Sequence, residues 1–404
     1  MGLPARSTIT PKVLQKAVWA GVNNVSYPLA SSALLELAGL SLSAKQIRHW
    51  VQRIGEARLS ERGQALQDLQ ALTLPQRRAG NPTACAPELA VILMDGGRYQ
   101  RRDNFRTEPT HKPGGTHWRE DKVGCLLSMA SNVHACDPTP EFPAWLATSS
   151  AVAELAKMSE KTAFSATAKE TDNGPAEAHD ETLYEPPQLL AREVLASGVE
   201  SETFGWQLET RAWELGFPAA QRQAFVADGA SANWKVQRRH FPHATPILDL
   251  MHALSYAWSA AQVVDQGQSY PRWAKWIWQG QVARVITALD EQQNVAGMST
   301  DESVNDDSQQ PIQRARTYFT NQQARMNYPE YRRQGLPLTS SHIESTIKQI
   351  NRRVKGSEKF WRPESAEAIL QLRADALSDS RPLDKFWSRW LKSNTGSNRY
   401  QTAA

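Results

Sequence analysis

The first seventy residues carry apolar positions at helical spacing. Within residues 10–70, Ala30–Ala38 is a helix-forming stretch, and Gly39-Leu40-Ser41 predicts a tight turn. Ser43 is a favourable N-cap for a second helix, and Gln46 three residues later completes a capping box. Apolar side chains then recur at helical intervals and form one stripe: Ile47, Val51 and Ile54.

The face of this second helix opposite the stripe is basic, with Lys45, Arg48 and Arg53. A helix, a glycine turn and a helix with a basic outer face outline a helix-turn-helix, whose second helix enters the major groove of DNA. An ordinary helical hairpin with a charged surface has the same pattern, so both interpretations remain open. In the first, residues 1–70 form a DNA-binding region, and residues 71–88, which contain Pro and Gly, form a linker.

Uninterrupted apolar runs predict strands that are buried on both faces. Two such runs each end at an aspartate: Leu89–Met94 precedes Asp95, and Ala224–Ala227 precedes Asp228. Thr245–Leu248 is a third predicted strand, and it precedes Asp249. A polar helix over Ser231–His240 joins the second run to this strand, and another helix starts near His252. Strand, helix and strand with short links are typical of an α/β unit with parallel strands.

The other segments have weaker patterns. Further strands are predicted at Tyr99–Arg102 and Val123–Met129, and helices at Gln188–Leu195 and Glu202–Leu215. Residues 150–187 hold eight acids and three Lys with few large apolar groups, which favours a disordered acidic insertion. Residues 256–330 are predicted to be mainly helical.

Asp95 and Asp228 are predicted at strand ends, where catalytic and ligand-binding residues are common. Ligand sites in open α/β sheets gather at the carboxyl ends of strands, and the Gly after each Asp lets the chain turn sharply and a substrate come close. A single Asp of this kind is more often a turn or cap residue. Two of them, with Asp249 after the next strand, make that explanation less favourable.

Glu344 begins a predicted helix with the apolar stripe Ile343, Ile347 and Ile350. It lies off this stripe, toward Lys348. A catalytic carboxylate and a surface Glu–Lys pair fit this spacing equally well, so the spacing alone leaves both open.

Composition narrows the class of protein. The chain has 404 residues, 40% hydrophobic and 22% charged, which is typical of a globular protein with two or three domains. The formal charge of +4 is small, but residues 331–373 hold nine Lys or Arg and four Glu. This basic segment suits a phosphate backbone, although a solvated helix face has the same charge.

The cysteines and the hydropathy of the chain predict where in the cell the protein is found. Three Cys without a CxxC pair favour reducing cytosol over a disulfide framework or a Cys-rich zinc site. The longest apolar run is Leu89–Met94, and no signal peptide is visible. We therefore expect a soluble, cytoplasmic protein, nucleoid-associated in a bacterial cytosol, with no membrane partner.

Four blocks, in this order, resemble one transposase family. Leu89–Gly97 contains Asp-Gly, Phe225–Asn233 contains Asp-Gly-Ala-Ser-Ala-Asn, and Ile247–Ala253 contains Asp-Leu-Met-His. The strongest match is Ser340–Arg373, where Glu-Ser is followed by Arg-Val-Lys-Gly-Ser, by Trp361 and by a Leu-rich helix ending in Arg. These blocks resemble the catalytic core of DDE transposases of the Kra-type bacterial insertion-sequence family, with Mutator-like elements as more distant relatives. The resemblance spans most of residues 13–380.

The resemblance implies a fold and an acidic triad. The fold is an α/β, ribonuclease H-like mixed sheet flanked by helices, with its core at residues 89–255 and 331–380. An all-helical insertion occupies residues 256–330, and a C-terminal tail occupies residues 381–404. Asp95 on the first strand, Asp228 on the fourth and Glu344 on a late helix would hold two Mg²⁺ or Mn²⁺ ions.

The resemblance also implies an activity and partners. Asp249 and His252 match an Asp-x-x-His signature found near such active sites. The DNA backbone would be held by four basic residues: Lys348, Arg352, Arg353 and Lys355. The implied reaction is metal-dependent strand cleavage at element ends and strand transfer into target DNA, by a homo-oligomer on double-stranded DNA. A ribonuclease H-like nuclease that does not transpose, and an inactive or domesticated transposase-derived DNA-binding protein, remain alternatives.

Overall fold

The computed structural model describes residues 9–102, 117–147, 185–295 and 310–394. The acidic insertion that the sequence predicts at residues 150–187 lies almost entirely outside the described residues. No helix within these ranges is long and apolar enough to span a membrane.

The described residues before the sheet form four helices, and each follows a Ser or Thr at its N-cap. They are α1 (Pro11–Asn23), α2 (Tyr27–Ala38), α3 (Ala44–Ala71) and α4 (Leu74–Ala79). Gly39 ends α2 with a φ of 63°, a left-handed conformation that glycine adopts without steric cost. The predicted capping box is present, because Ser43 and Gln46 each accept a hydrogen bond from the other's backbone N–H.

A mixed, open sheet forms the centre of the protein. Its strands are β1 (Leu89–Arg101), β2 (Trp118–Ala130), β3 (Gln188–Ser197), β4 (Arg222–Ala227), β5 (Thr245–Leu248) and β6 (Phe360–Trp361). The spatial order is β3-β2-β1-β4-β5, and β6 pairs with the end of β1. The β1–β2 and β2–β3 pairs are antiparallel, whereas the β1–β4, β4–β5 and β1–β6 pairs are parallel.

The later helices lie between and after the strands. They are α5 (Ala144–Ala147), α6 (Ser201–Glu214), α7 (Ser231–His240), α8 (Leu250–Asp265), α9 (Tyr270–Trp278), α10 (Val282–Val295), α11 (Gln310–Gln322), α12 (Tyr328–Arg333), α13 (Ser341–Val354), α14 (Pro363–Leu377) and α15 (Pro382–Asn394). The predicted α/β class, with a mixed sheet flanked by helices, is confirmed.

Successive residues of β2 show that helices cover both faces of the sheet, because side chains alternate between the faces of a strand. A Cβ on Gly124 would lie 2.4 Å from Leu208 on α6. The next residue, Cys125, contacts Thr346 on α13, with 3.5 Å between Sγ and Oγ1. Helix α6 therefore lies on one face and α13 on the other.

The N-terminal helices share the core of the sheet. The predicted stripe Ile47, Val51 and Ile54 is buried in one continuous apolar cluster with the central strands. Helix α3 also approaches α14 closely at Gly55, where an added Cβ would lie 2.7 Å from the carbonyl oxygen of Ala368. These helices are therefore packed against the later part of the chain.

One segment differs from its predicted structure. Residues Gln188–Leu195, predicted as a helix, form most of strand β3. Leu, Ala, Arg and Glu favour helices in isolation, but tertiary pairing overrides such weak preferences. The free edge of β2 has backbone groups that need partners, and β3 supplies them.

Strand β1 is longer than the sequence predicted. Instead of ending at Met94 and restarting near Tyr99, it continues without a break through Asp95. Gly96 and Gly97 do not form a turn. They leave space for side chains of β2, since a Cβ on Gly97 would lie 2.8 Å from the Asp121 carboxylate. Asp95 is therefore inside a strand, not at its end.

Two glycines on α3 provide a matched test of the packing between α3 and α14. We expect Gly55→Ala to lower the free energy of unfolding by about 1–3 kcal/mol, because its Cβ would meet the backbone of Ala368. Gly63 has no neighbouring atom within 4 Å of an added Cβ. Gly63→Ala should therefore raise the free energy of unfolding by about 0.5–1 kcal/mol through helix propensity. Urea denaturation measures both, and equal effects of the two substitutions would contradict the close packing.

Candidate active site

The parallel pairing of β1 and β4 brings Asp95 and Asp228 together. Leu93 on β1 is paired with Val226 on β4. Because the strands run in the same direction, Asp95 and Asp228 each come two residues after this pair and reach the same level of the sheet. Gly229 has a φ of 104°, so the chain turns away directly after Asp228.

Asn233 connects these two acidic positions. Its Nδ2 donates a hydrogen bond to Oδ1 of Asp228 at 3.0 Å and to the backbone oxygen of Met94, next to Asp95, at 3.2 Å. The backbone N–H of Ala230 donates to the same Asp228 oxygen at 3.0 Å. Sequence reasoning missed Asn233, although its place on the first turn of α7, five residues after Asp228, is a usable signal.

Helix α11, from the segment between β5 and α13, holds the backbone after β4. The Tyr318 hydroxyl donates to the carbonyl oxygen of Asp228 at 2.7 Å, and Nε2 of Gln322 donates to that of Gly229 at 2.9 Å. The Tyr318 ring stacks on Tyr256 of α8, with 3.9 Å between ring centroids. Sequence reasoning missed these contacts, and no local pattern reveals them because the partners are about ninety residues apart.

Asp249 is buried and connects three parts of the chain. One carboxylate oxygen accepts the backbone N–H of His252 at 3.0 Å and thereby caps α8. The other accepts the backbone N–H and the hydroxyl of Ser340, both at 2.5 Å. Ser340 is the N-cap of α13, so Asp249 fixes the start of the helix that carries Glu344.

Glu344 lies in the first turn of α13. Ile343, Thr346 and Ile350 are buried beside it, and they anchor the helix on the sheet. Glu344 itself is half-buried and faces a cavity of about 610 Å³. Asp95 and Asp228 line the same cavity, so the structure brings the three carboxylates to one place.

Burial, and after it negative charge, raises the pKa of two carboxylates in this cavity. Burial raises the pKa of Asp95 to about 7, and the charge of Asp228 adds to this rise. Burial also raises the pKa of Glu344, with a contribution from the charge of Asp249. These shifts indicate that the cavity favours added positive charge.

His252 already supplies one positive charge. Its Nδ1 lies 3.4 Å from Oδ1 of Asp249, an ion-pair distance. Burial alone would lower the pKa of His252, but the Asp249 carboxylate, with the charges of Asp228 and Asp95, raises it to about 9. Burial alone would raise the pKa of Asp249, but its contacts with His252 and Ser340 hold it below the usual value. The Asp249 carboxylate therefore favours the protonated, cationic form of His252.

The chemistry of the three carboxylates fits a divalent cation. Carboxylate oxygens are the ligands that Mg²⁺ prefers, and the carboxylates of Asp95, Asp228 and Glu344 all line the cavity. Within the described ranges, no three His, Cys, Asp or Glu side chains already have the geometry to hold a metal ion together. The donors are thus in one cavity without being gathered around a common point.

Basic residues of α13 extend from the carboxylates. Lys348 and Lys355 line the same cavity as Glu344 and are exposed. Arg352, also exposed, lies on the same helix. Nζ of Lys355 lies 6.0 Å from the centroid of the Trp118 ring. These three cations are accessible to an anionic ligand near the carboxylates.

Arg353 has a different environment from its basic neighbours. Only 3% of Arg353 is exposed, and its Nε donates to the backbone oxygen of Gly21 at 2.9 Å. Its guanidinium lies over the rings of Tyr27 and Trp361, at 4.4 and 5.1 Å from their centroids. Arg353 therefore attaches α1 and α2 to the end of α13 and does not lie on the exposed basic surface.

The basic residues predicted on α3 lie away from the carboxylates. Lys45 and Arg48 are exposed near the start of the helix, and Arg53 is half-buried. None of the three lines the carboxylate cavity. Arg48 instead lines a second cavity, together with Arg353.

Replacing Asp249 tests the ion pair with His252. We expect Asp249→Asn to lower the pKa of His252 by about 1–3, because the nearest negative charge is removed. Titration of the ¹⁵N-labelled imidazole by NMR measures this pKa, and a His252→Gln spectrum assigns the signal.

Ser340→Ala is the matched control for this substitution. It removes a hydrogen bond to the other Asp249 oxygen but keeps the charge, so the pKa of His252 should stay close to about 9. A pKa of His252 that is unchanged in Asp249→Asn, in a protein with unchanged circular dichroism, would show that Asp249 is not its main partner.

Comparison with known proteins assigns neither a family nor a function to the chain. Neither a scan against protein-family models nor a search of curated proteins finds a match to this chain. The function is therefore inferred from the geometry of the carboxylate cavity and from the motif resemblance.

Proposed function

We propose that the chain is a DNA transposase of the DDE type, with Asp95, Asp228 and Glu344 as its catalytic triad. One observation carries the proposal: elements distant in sequence bring these three carboxylates to a single cavity. Two come from adjacent parallel strands, and the third comes from the first turn of α13. A surface Glu–Lys pair would give no reason for Glu344 to face the two aspartates.

The sheet topology supports a ribonuclease H-like core. Three antiparallel strands, β3, β2 and β1, continue into the parallel strands β4 and β5. This arrangement, with helices on both faces, is compatible with the proposed fold. In this proposal, the helices α9 to α11 belong to the inserted segment, and α11 supports the active site through Tyr318 and Gln322.

Asp95, Asp228 and Glu344 would hold two Mg²⁺ or Mn²⁺ ions. Such ions, when bound, supply Lewis-acid polarisation of the scissile phosphodiester. The protein supplies position and charge: Asn233 orients Asp228, Asp249 orients His252, and the His252 cation attracts a phosphate oxygen. Lys348, Arg352 and Lys355 would hold the DNA backbone beside the cavity.

The proposed reaction has two phosphoryl-transfer steps. Water attacks a phosphodiester at the element end, and the bond to the 3′ oxygen breaks, leaving a 3′-OH and a 5′-phosphate. That 3′-OH then attacks a target phosphodiester, whose own 3′ oxygen leaves. Pairing two element ends would require two or more copies of the chain on DNA. Work on the chromosome fits a cytoplasmic location, and the three cysteines, all unpaired, suit a reducing compartment.

Substitution of the triad tests the proposal. We expect Asp95→Asn, Asp228→Asn and Glu344→Gln each to reduce metal-dependent cleavage by at least about a thousandfold, while DNA binding persists. The substrate is a plasmid carrying the DNA that flanks the gene, because element ends would lie there. Gel electrophoresis measures cleavage and joining.

Glu120→Gln is the control. The Glu120 carboxylate is at the edge of the same cavity and forms an ion pair with Lys122, 3.6 Å away. Since Glu120 is outside the proposed triad, this variant should cleave at the original rate. Full cleavage by Asp228→Asn would overturn the proposal. Cleavage without joining would indicate a nuclease that does not transpose.

A further inference from the structure

A second cavity, of about 1000 Å³, lies between the N-terminal helices and the end of α13. Tyr27 and Arg48 line it from α2 and α3, whereas Phe360 and Arg362 line it from β6 and its continuation. It shares no lining residue with the carboxylate cavity. The proposed catalytic chemistry does not use it.

Positive charge dominates this second cavity. Its lining includes five cations, Arg48, Arg102, Arg353, Lys359 and Arg362, against two carboxylates, Glu358 and Glu364. Arg353 is almost fully buried, and no carboxylate of the described residues forms an ion pair with it; its Nε bonds to the backbone oxygen of Gly21 instead. Nη2 of Arg353 has no hydrogen-bond partner.

Two helices begin at the cavity and add to its positive potential. Tyr27 and Pro28 are the first residues of α2, and Pro363 and Glu364 are the first residues of α14. The dipole at a helix start attracts anions, although Pro28 and Pro363 have no N–H and Ser26 already accepts the N–H of Leu29. An anionic group, and not a metal cation, is therefore the ligand that this cavity favours.

Aromatic rings at the cavity favour a ligand that has a flat ring as well as an anionic group. Phe360 is 37% exposed, the guanidinium of Arg102 lies 5.6 Å from its ring centroid, and the His117 ring contacts it edge-on with 5.4 Å between centroids. Such an arrangement offers a flat surface for stacking, beside a cation for a phosphate. Gln52 and Ser365, hydrogen-bonded at 2.8 Å, add neutral polar groups that can bind the edge of a base.

We propose that this cavity binds an unpaired nucleotide, with its phosphate near the arginines and its base against Phe360. An interior base of a duplex has both faces covered by its neighbours, whereas a base in a single strand can turn a face to a side chain. The same chemistry describes a nucleotide within a DNA strand and a free mononucleotide. The choice of DNA as the source rests on the proposed function, whereas the nucleotide chemistry does not.

The two cavities are connected by two elements. Arg102 directly follows β1 and lies seven residues after Asp95, a distance of about 23 Å for an extended chain. Arg353 follows Glu344 by nine residues on α13, about 14 Å along a helix. A single strand of DNA with a phosphate at the carboxylates can therefore reach the second cavity within a few nucleotides.

Binding of tailed DNA tests the inference. The full chain, as the Asp228→Asn variant in buffer with EDTA, is titrated against a fluorescent duplex with a single-stranded thymidine tail and against the same duplex with blunt ends. We expect Arg102→Ala and Phe360→Ala to weaken binding of the tailed duplex at least about tenfold, and binding of the blunt duplex less than about twofold. Both side chains are exposed, so the fold should tolerate their removal.

Arg284→Ala is the matched control. Arg284 is also exposed and also lies 5.6 Å from an aromatic centroid, that of Trp276, but on α10 outside the cavity. It should bind both duplexes like the parent. Equal weakening of both duplexes by the cavity variants, or none, would overturn the inference.

Competition separates the two sources of the nucleotide. Displacement of the tailed duplex by unlabelled single-stranded thymidine oligonucleotide supports a DNA strand. Binding of thymidine monophosphate alone, lost in Phe360→Ala, supports a free nucleotide in the same cavity. Equal competition by inorganic phosphate would contradict a role for the base. Because no cleavage is measured, these results stand even if the transposase proposal fails.

Discussion

The parallel pairing of β1 with β4 is the constraint on which the candidate site depends. It places Asp95 and Asp228 at the same level of adjacent strands, although more than a hundred residues separate them. Burial raises the pKa of Asp95 to about 7, and repulsion from the neighbouring Asp228 carboxylate adds to the rise. Two contacts offset this repulsion. Asn233 bonds both to Asp228 and to the backbone of β1, and His252 brings a positive charge.

The later parts of the chain complete the site through a few long-range hydrogen bonds. Asp249 follows β5 directly and binds Ser340, so the strand that extends the parallel sheet also sets the start of α13 and the position of Glu344. Tyr318 and Gln322 on α11 bind the turn after β4 in the same way. The site is therefore assembled by tertiary contacts, and local motifs only supply its side chains.

Local sequence patterns predict the elements that supply the side chains, but they do not predict the tertiary contacts that assemble the site. The apolar strands before Asp95 and Asp228 were predictable, because burial on both faces leaves a continuous apolar run. Strand β3 was not, since its residues favour a helix and only the edge of β2 decides otherwise. The Gly-Gly pair after Asp95 suggests a turn from sequence alone. In the structure it lies within β1, where the missing side chain of Gly97 leaves space for the Asp121 carboxylate on β2. The contacts of Asn233 and Tyr318 have no local signal of comparable strength.

The packing of α3 limits which part of this helix is accessible to the DNA of the proposed function. From Gly55 onward, α3 lies against α14, and its basic residues there form ion pairs with that helix: Arg58 with Asp375 at 2.9 Å and Arg62 with Glu367 at 3.5 Å. Only the first turns of α3, with Lys45 and Arg48, keep exposed positive charge. A recognition helix must be accessible where it enters the groove, so any contact of α3 with DNA is confined to these turns. Because Arg48 also lines the second cavity, these turns contribute to the same surface as β6 and the end of α13, and one DNA strand could contact both.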